Sequence, residues 1–139
     1  MGATGAGWVV GAADNLGLAA TIPAAQTAET LVIPVDGLKV GDIITDFSVI
    51  AQIESAGGTV TLDADLRKLT NAAADVVDAS IGAITQVSVT ADTAVASSKT
   101  LAAAETIAAD ETFYVLLTAT TGASTDIALQ GLTVSVTQK

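Results

Sequence analysis

The chain has 139 residues, half of them hydrophobic, and sets 15 acidic against 5 basic side chains for a net charge of −10 at pH 7. That length fits one domain able to bury about two-thirds of the surface its unfolded chain exposes, so a core can form without metal or disulfide staples. The acidity excludes the basic footprint on which nucleic-acid binding rests and disfavours anionic membrane surfaces, while the lack of cysteine and histidine excludes disulfides, thiolate nucleophiles, imidazole metal sites and Ser-His or Cys-His catalysis.

Residues 1–27 are small, glycine-rich and nearly uncharged, with Asp14 as their one ionised side chain. They read as an extended arm with short strands around Trp8–Val10 and Leu16–Ile22. A lone indole needs a partner, so Trp8, Val9, Val10, Leu16 and Leu18 are the candidate interface residues of this arm. The start of the chain lacks the basic residues and apolar run of a signal peptide, and Ala6 stands where myristoylation needs Ser or Thr. The uncharged stretches Leu16–Ala28 and Thr112–Thr125 are too short and too rich in Thr, Gly or Pro to span a bilayer. A soluble protein made in a reducing cytoplasm is expected.

A single β domain is expected over residues 28–139. Glu29–Val35 is a β-branched run with Leu31, Ile33 and Val35 on one face, and Pro34 marks an edge or an end. Turns follow at Asp36-Gly37 and Val40-Gly41-Asp42. Ile43–Glu54 then alternates, with Ile43, Phe47, Val49, Ala51 and Ile53 on one face and Asp46, Ser48, Gln52 and Glu54 on the other. Thr59–Leu66 alternates too, with Val60, Leu62, Ala64 and Leu66 together. Gly57-Gly58 between them predicts a hairpin. As a two-residue turn it pairs Ile53 with Leu62, Ala51 with Ala64 and Val49 with Leu66, and a four-residue Ser55–Gly58 loop shifts the register by two and keeps the same faces.

Asn71–Ser80 predicts a short helix capped by Asn71, with Asp75 in its first turn. Ala83–Thr90 is a strand with Val87 and Val89 inward, and Ala91–Ala109 fits either a helical turn or a loop. Phe113–Thr121 is a buried strand, and Gly122-Ala123-Ser124 turns the chain into a last strand, Ile127–Thr137. There the apolar positions change parity between Leu129 and Leu132, and Gly131 is the natural site of a bulge. About eight strands with turn-rich connections predict an all-β, antiparallel β-sandwich of jelly-roll type with an extended N-terminal arm.

Little in the sequence looks like chemistry. Lys68 and Lys99 stand among polar neighbours, as solvated lysines do, and no dinucleotide-binding or Walker glycine motif occurs. Asp63 and Asp65 share one face of a strand, a geometry open to a hard cation. An EF-hand loop starting at Asp63 fails, because Lys68 stands where glycine is needed. Two carboxylates also leave most of a calcium shell unfilled, so this pair is expected to face water. Glycosidase chemistry and carbohydrate binding both want aromatic platforms, and only Trp8, Phe47, Phe113 and Tyr114 are aromatic. No catalytic, cofactor-binding or metal-binding residue is expected.

The segments Val40-Gly41-Asp42-Ile43-Ile44-Thr45-Asp46-Phe47, Thr59–Leu69 and Asp110–Thr121, with the Thr/Val-rich end of the chain, resemble small structural proteins of tailed bacteriophages, in particular capsid decoration (cement) proteins. The resemblance covers residues 29–139 in strand order and style, without a diagnostic motif. It implies a β-rich, often jelly-roll and frequently trimeric protein, made in the host cytoplasm. Such a protein binds the major capsid protein on the virion exterior and braces the shell against DNA pressure, without catalytic residues or cofactors. A phage tail or fibre-base module and a bacterial surface or pilus-like subunit are the alternatives, the latter disfavoured by the expected lack of a secretion signal.

Overall fold

A computed structural model describes residues 2–4, 9–10, 20–22, 25–122 and 125–138. Eight strands occupy the described residues: β1 (Gly2–Thr4), β2 (Val9–Val10), β3 (Ala20–Ile22), β4 (Glu29–Pro34), β5 (Ile43–Ala72), β6 (Asp75–Thr106), β7 (Glu111–Thr120) and β8 (Thr125–Thr137). All pair antiparallel, and no helix is present among the described residues.

The registers reveal how a sandwich arises from so few long strands. β5 pairs with β6 along its whole length, from Ile43↔Thr106 to Ala72↔Asp75. On its other side β5 pairs with β8 over Ile43–Ser55 and with β7 over Thr61–Thr70. β4 continues outward from β7 and β1 from β4, while β3 continues from β8 and β2 from β3. β5 and β6 therefore each cross from one sheet to the other near their middles. One sheet holds β1, β4, β7 and the facing halves of β5 and β6; the second holds the other halves of β5 and β6 with β8, β3 and β2. The sheets join where β5 and β6 pass between them. The two far ends of β5 are bridged at the opposite end by residues 107–110, through Ile107 N–H to the Asp42 carbonyl and Asn71 N–H to the Asp110 carbonyl, and the clefts there make it the open end.

The core lies between them. Phe47, Val49, Ala51 and Ile53 face in from the first half of β5, and Val60, Leu62, Ala64 and Leu66 from the second; all are at most 2% exposed. Phe113, Val115, Leu117 and Ala119 do the same from β7, in strict alternation. Leu31 of β4 is buried, with Ile33 and, just past the end of that strand, Val35 packed against the same core. At the start of β5 the register shift between Ile44 and Asp46 buries Ile44 in place of the expected Ile43. Ala20 and Ile22 of β3 join it too.

The predicted hairpin over Gly57-Gly58 is corrected. The backbone is strand throughout Ile43–Ala72, Ile53 pairs with Ile127 and Thr93, and Leu62 pairs with Ala119 and Val87. The glycines stand where β5 changes sheets, between register shifts at Ile53/Ala56 and Ala56/Val60. The face assignment survives, because a corner with a bulge restores the inward set just as an even-numbered turn does.

The helix predicted over Asn71–Ser80 is also corrected. Ala73 and Ala74 turn β5 into β6, and the Asn71 N–H donates to the Asp110 carbonyl instead of capping a helix. Ladder pairing of β-branched Val76 and Val77 outweighs the helix preference of three alanines. Ala91–Thr106 is strand rather than loop. Pro34 does end β4, Gly37 and Gly41 take φ of 81° and 92° in the two expected turns, and the last strand is bulged where expected. There Ile50 pairs with Gly131 but Ala51 with Leu129, leaving Gln130 as the extra residue.

Candidate functional site

Three surfaces present side chains that could serve as a site, and the first is the outer face of the β4–β7–β5 sheet. Alternation on β5 sends Asp63, Asp65 and Arg67 outward together, and Arg67 stands between its cross-strand partners Ser80 and Tyr114. Its Nη1 donates to Asp65 Oδ2 at 2.6 Å, and its Nε lies 3.1 Å from both Asp78 Oδ1 and the Tyr114 hydroxyl. The Tyr114 hydroxyl lies 2.9 Å from each Asp78 oxygen, and Ser80 Oγ donates to Asp65 Oδ1 at 2.5 Å. Hydrogen bonding from Arg67 holds the Asp78 carboxyl below the usual carboxylate range, and burial pushes the Tyr114 phenol up, with Asp78 adding to the effect. Arg67, Asp78 and Tyr114 are each held in their resting charge state, so none of the three is poised to move a proton.

The expectation that Asp63 and Asp65 simply face water is corrected. Both are on the outward face, yet both are half-buried, and Asp65 is committed to Arg67 and Ser80. Among the described residues no group of three or more carboxylates is placed to hold a metal ion.

The second surface is the open end. Lys68 points inward at the end of its sheet, with Nζ 2.5 Å from Glu105 Oε1 on β6 and 2.8 Å from Glu111 Oε1 at the start of β7. The remaining Glu111 oxygen accepts the Ala108 N–H at 2.9 Å. Burial pushes the Glu111 carboxyl up, but the hydrogen bonds from Lys68 and Ala108 outweigh it and hold it below its ordinary value. Hydrogen bonds to Glu105 and then Glu111 raise Lys68, so it stays protonated and is no base. Sequence reading treated Lys68 as solvated; the clasp joins residues 37 and 43 positions apart and leaves no local signal. Lys99 is exposed at the β6 edge.

Two clefts of about 360 and 440 Å³ flank the 34–38 segment at this end. The first runs between Ile33 and Val35 on one side and Leu132, Val134 and Val136 on the other. The larger is lined by Val35, Leu38, Val40, Ile107 and Phe113.

The last surface is the outer face of the second sheet. Ser48, Ile50 and Gln52 of β5 lie between Ala94, Ala96, Ser98 and Thr100 of β6 and Thr133 and Ser135 of β8. Ile50 is 44% exposed, flanked by Ala96 and Gly131. Asp46, paired with Thr100 and Ser135, is the one charge from there to Gln52, and its Oδ2 accepts the Thr45 hydroxyl at 2.9 Å. Beyond Gln52 the pairing of β5 with β8 continues to Glu54↔Asp126.

Of the candidate interface residues, Trp8, Leu16 and Leu18 lie outside the described residues. Val9 and Val10 form β2, opposite Thr21 and Ala20.

No family model and no curated protein matches this sequence. A solved structure described as "CBM4 structure and function" is similar with a TM-score of 0.45 and 17% identity, over 88% of this chain and 83% of that one.

Proposed function

We propose that this chain is a non-enzymatic structural protein that works by burying preformed surface, and that its partner is the major capsid protein on the outside of a phage head. In this reading it decorates the shell as a homotrimer, on the virion exterior, with no cofactor. The observation that carries the reading is the contrast between the two outer faces. One holds Asp63, Asp65, Arg67 and Asp78; the other, from Asp46 to Gln52 of β5 and across to their partners, holds Asp46 as its one charge among Ala, Ser and Thr, with Ile50 exposed among them.

Physical chemistry assigns these faces different work. Short side chains lose little rotamer entropy on burial, and the patch around Ile50, from Ser48 to Gln52, carries no charge that would need a buried counter-ion, so it suits close packing on a shell. The charged face keeps its hydration and faces solvent. Each copy can bind weakly, because engaging several capsomers at once multiplies apparent affinity. Residues 1–27 add contacts, with Trp8 as anchor beside Val9, Val10, Leu16 and Leu18. A sugar-binding reading lacks platforms among the described aromatics: Phe47 and Phe113 are buried and the Tyr114 hydroxyl is held by Asp78 and Arg67.

The experiment is co-sedimentation with shells assembled from the major capsid protein of a tailed phage. The protein should saturate the shells, Ile50→Asp should weaken binding by about tenfold or more, and Thr61→Asp on the opposite face should not. Failure to sediment with shells, or equal losses at the two positions, overturns the reading. A phage tail or fibre-base module remains the alternative role for the same surfaces.

A further inference from the structure

Four large apolar side chains are exposed among the described residues: Val40, Ile50, Val76 and Val77. Three of the four gather at the open end of the sandwich. Scattered apolar residues are ordinary on a surface, but a cluster of them at one end is not.

Two of the three form a knob. β5 stays three-stranded with β6 and β7 as far as Thr70↔Glu111, and beyond that the β5–β6 ribbon runs on alone to Ala72↔Asp75. Residues 71–78 are exposed throughout, and Val76 and Val77, at 56% and 52%, point to opposite sides of the ribbon. The third belongs to a hole. Val40, at 66% exposure, lines the cleft of about 440 Å³ with Val35, Leu38, Ile107 and Phe113. That volume is within the range of pockets that bury most of a ligand's surface, ample for a valine pair.

The charges match as well. Asp75 flanks the knob, exposed, with no ion pair to another described residue. Lys39 stands between Leu38 and Val40 at the rim of the hole, also exposed and likewise outside every ion pair among the described residues. The cleft's own charges are Asp36 and Glu111, of which Glu111 is already held by Lys68, so Lys39 is the cation at this rim that an acidic tip can meet.

We propose that the Ala72–Val77 ribbon tip of one copy seats in the Val35–Val40 cleft of a second copy of this chain, with Asp75 of one copy facing Lys39 of the next. Knob and hole are different patches of one surface, so the contact is head-to-tail, and rotation about an axis at the open end closes it into a ring. Closure uses every knob and every hole and leaves none of the three valines in water. The proposal deepens the oligomeric part of the function proposed above and does not depend on the capsid.

Sedimentation of the full-length protein over a concentration series tests it. The wild-type chain should self-associate. Val77→Asp and Val40→Asp should each weaken association about tenfold or more, with unchanged circular dichroism, since both sites are exposed. Asp75→Lys and Lys39→Glu should each weaken it, and the two together should restore it. A monomeric wild type overturns the contact and the trimer but leaves shell binding to its own test. An oligomer indifferent to these substitutions, or a charge reversal that fails to rescue, overturns the contact while leaving the oligomer standing. Loss of shell binding with association intact assigns the knob to the capsid and equally overturns the proposal.

Discussion

Gly82 and Leu101, both on β6, face each other across the sandwich so closely that a β-carbon added to Gly82 would lie 2.5 Å from Leu101 Cδ2, with Phe47 Cε1 at 3.8 Å. β6 crosses from one sheet to the other between them, and its two halves close on each other at the edge of the core. Only a residue without a side chain lets them meet at that separation.

Gly82→Ala should therefore destabilise by about 1 kcal/mol, the low end for overpacking, because the obstructing atom ends a side chain that can turn aside. Leu101→Ala should cost about 2 kcal/mol by itself. The double variant should lose clearly less than the sum. Denaturant unfolding of the four proteins measures this coupling, and strict additivity would refute the close approach.

Leu62→Ala should cost roughly 2–5 kcal/mol, because Leu62 is 2% exposed between the sheets. Asp63→Ala, one residue on and facing out, should cost about 1 kcal/mol or less. Equal losses in urea unfolding would mean that the face assignment of β5 is wrong.

Lys68→Met should cost about 1–3 kcal/mol: Glu111, its side chain 8% exposed, loses its cation, while solvent reaching Lys68 and Glu105 discounts the full penalty of a broken buried pair. Its pH dependence follows from the directions of the shifts. Glu111 and Asp78 are lowered in the folded state, so their contribution is present above the ordinary carboxylate range and lost as pH falls through their folded values. Lys68 is raised, so its contribution holds below the ordinary lysine range and is lost as pH rises through its folded value. Thermal unfolding from acid to alkaline pH should thus show a plateau between those limits, and the Lys68→Met protein should lose less on acidification than the wild type. Parallel acid limbs would show that the clasp contributes nothing.

Calcium titrated into the protein should give no saturable micromolar heat, because Asp65 is already held by Arg67 and Ser80. A one-site isotherm abolished by Asp63→Asn would demonstrate a site on this face after all.

Much of this molecule could be read along the chain, because a strand's inward set is written at every second residue. Phe47 to Ile53, Val60 to Leu66, the turns at Gly37 and Gly41 and the bulge before Gly131 all announce themselves locally, and so does the all-β class. Which strand pairs with which is written nowhere locally. Gly57-Gly58 has the same appearance in a hairpin turn as in the corner where β5 changes sheets, since both relax the backbone and both restore the parity of the faces. The alanines of Asn71–Ala74 have the same appearance at the start of a helix as at a ribbon tip, and pairing across the ribbon decided between them. The surfaces were legible only in part. Alternation alone put Asp65 beside Arg67, but Asp78 and Tyr114 reach that arginine from 11 and 47 residues away, and Glu105 reaches Lys68 from 37. Local sequence thus determined which side chains face the core, a property of each strand's own geometry. The fold alone decided which charges meet, where the chain turns from one sheet to the other, and which apolar residues gather at the open end, because each of those depends on long-range register.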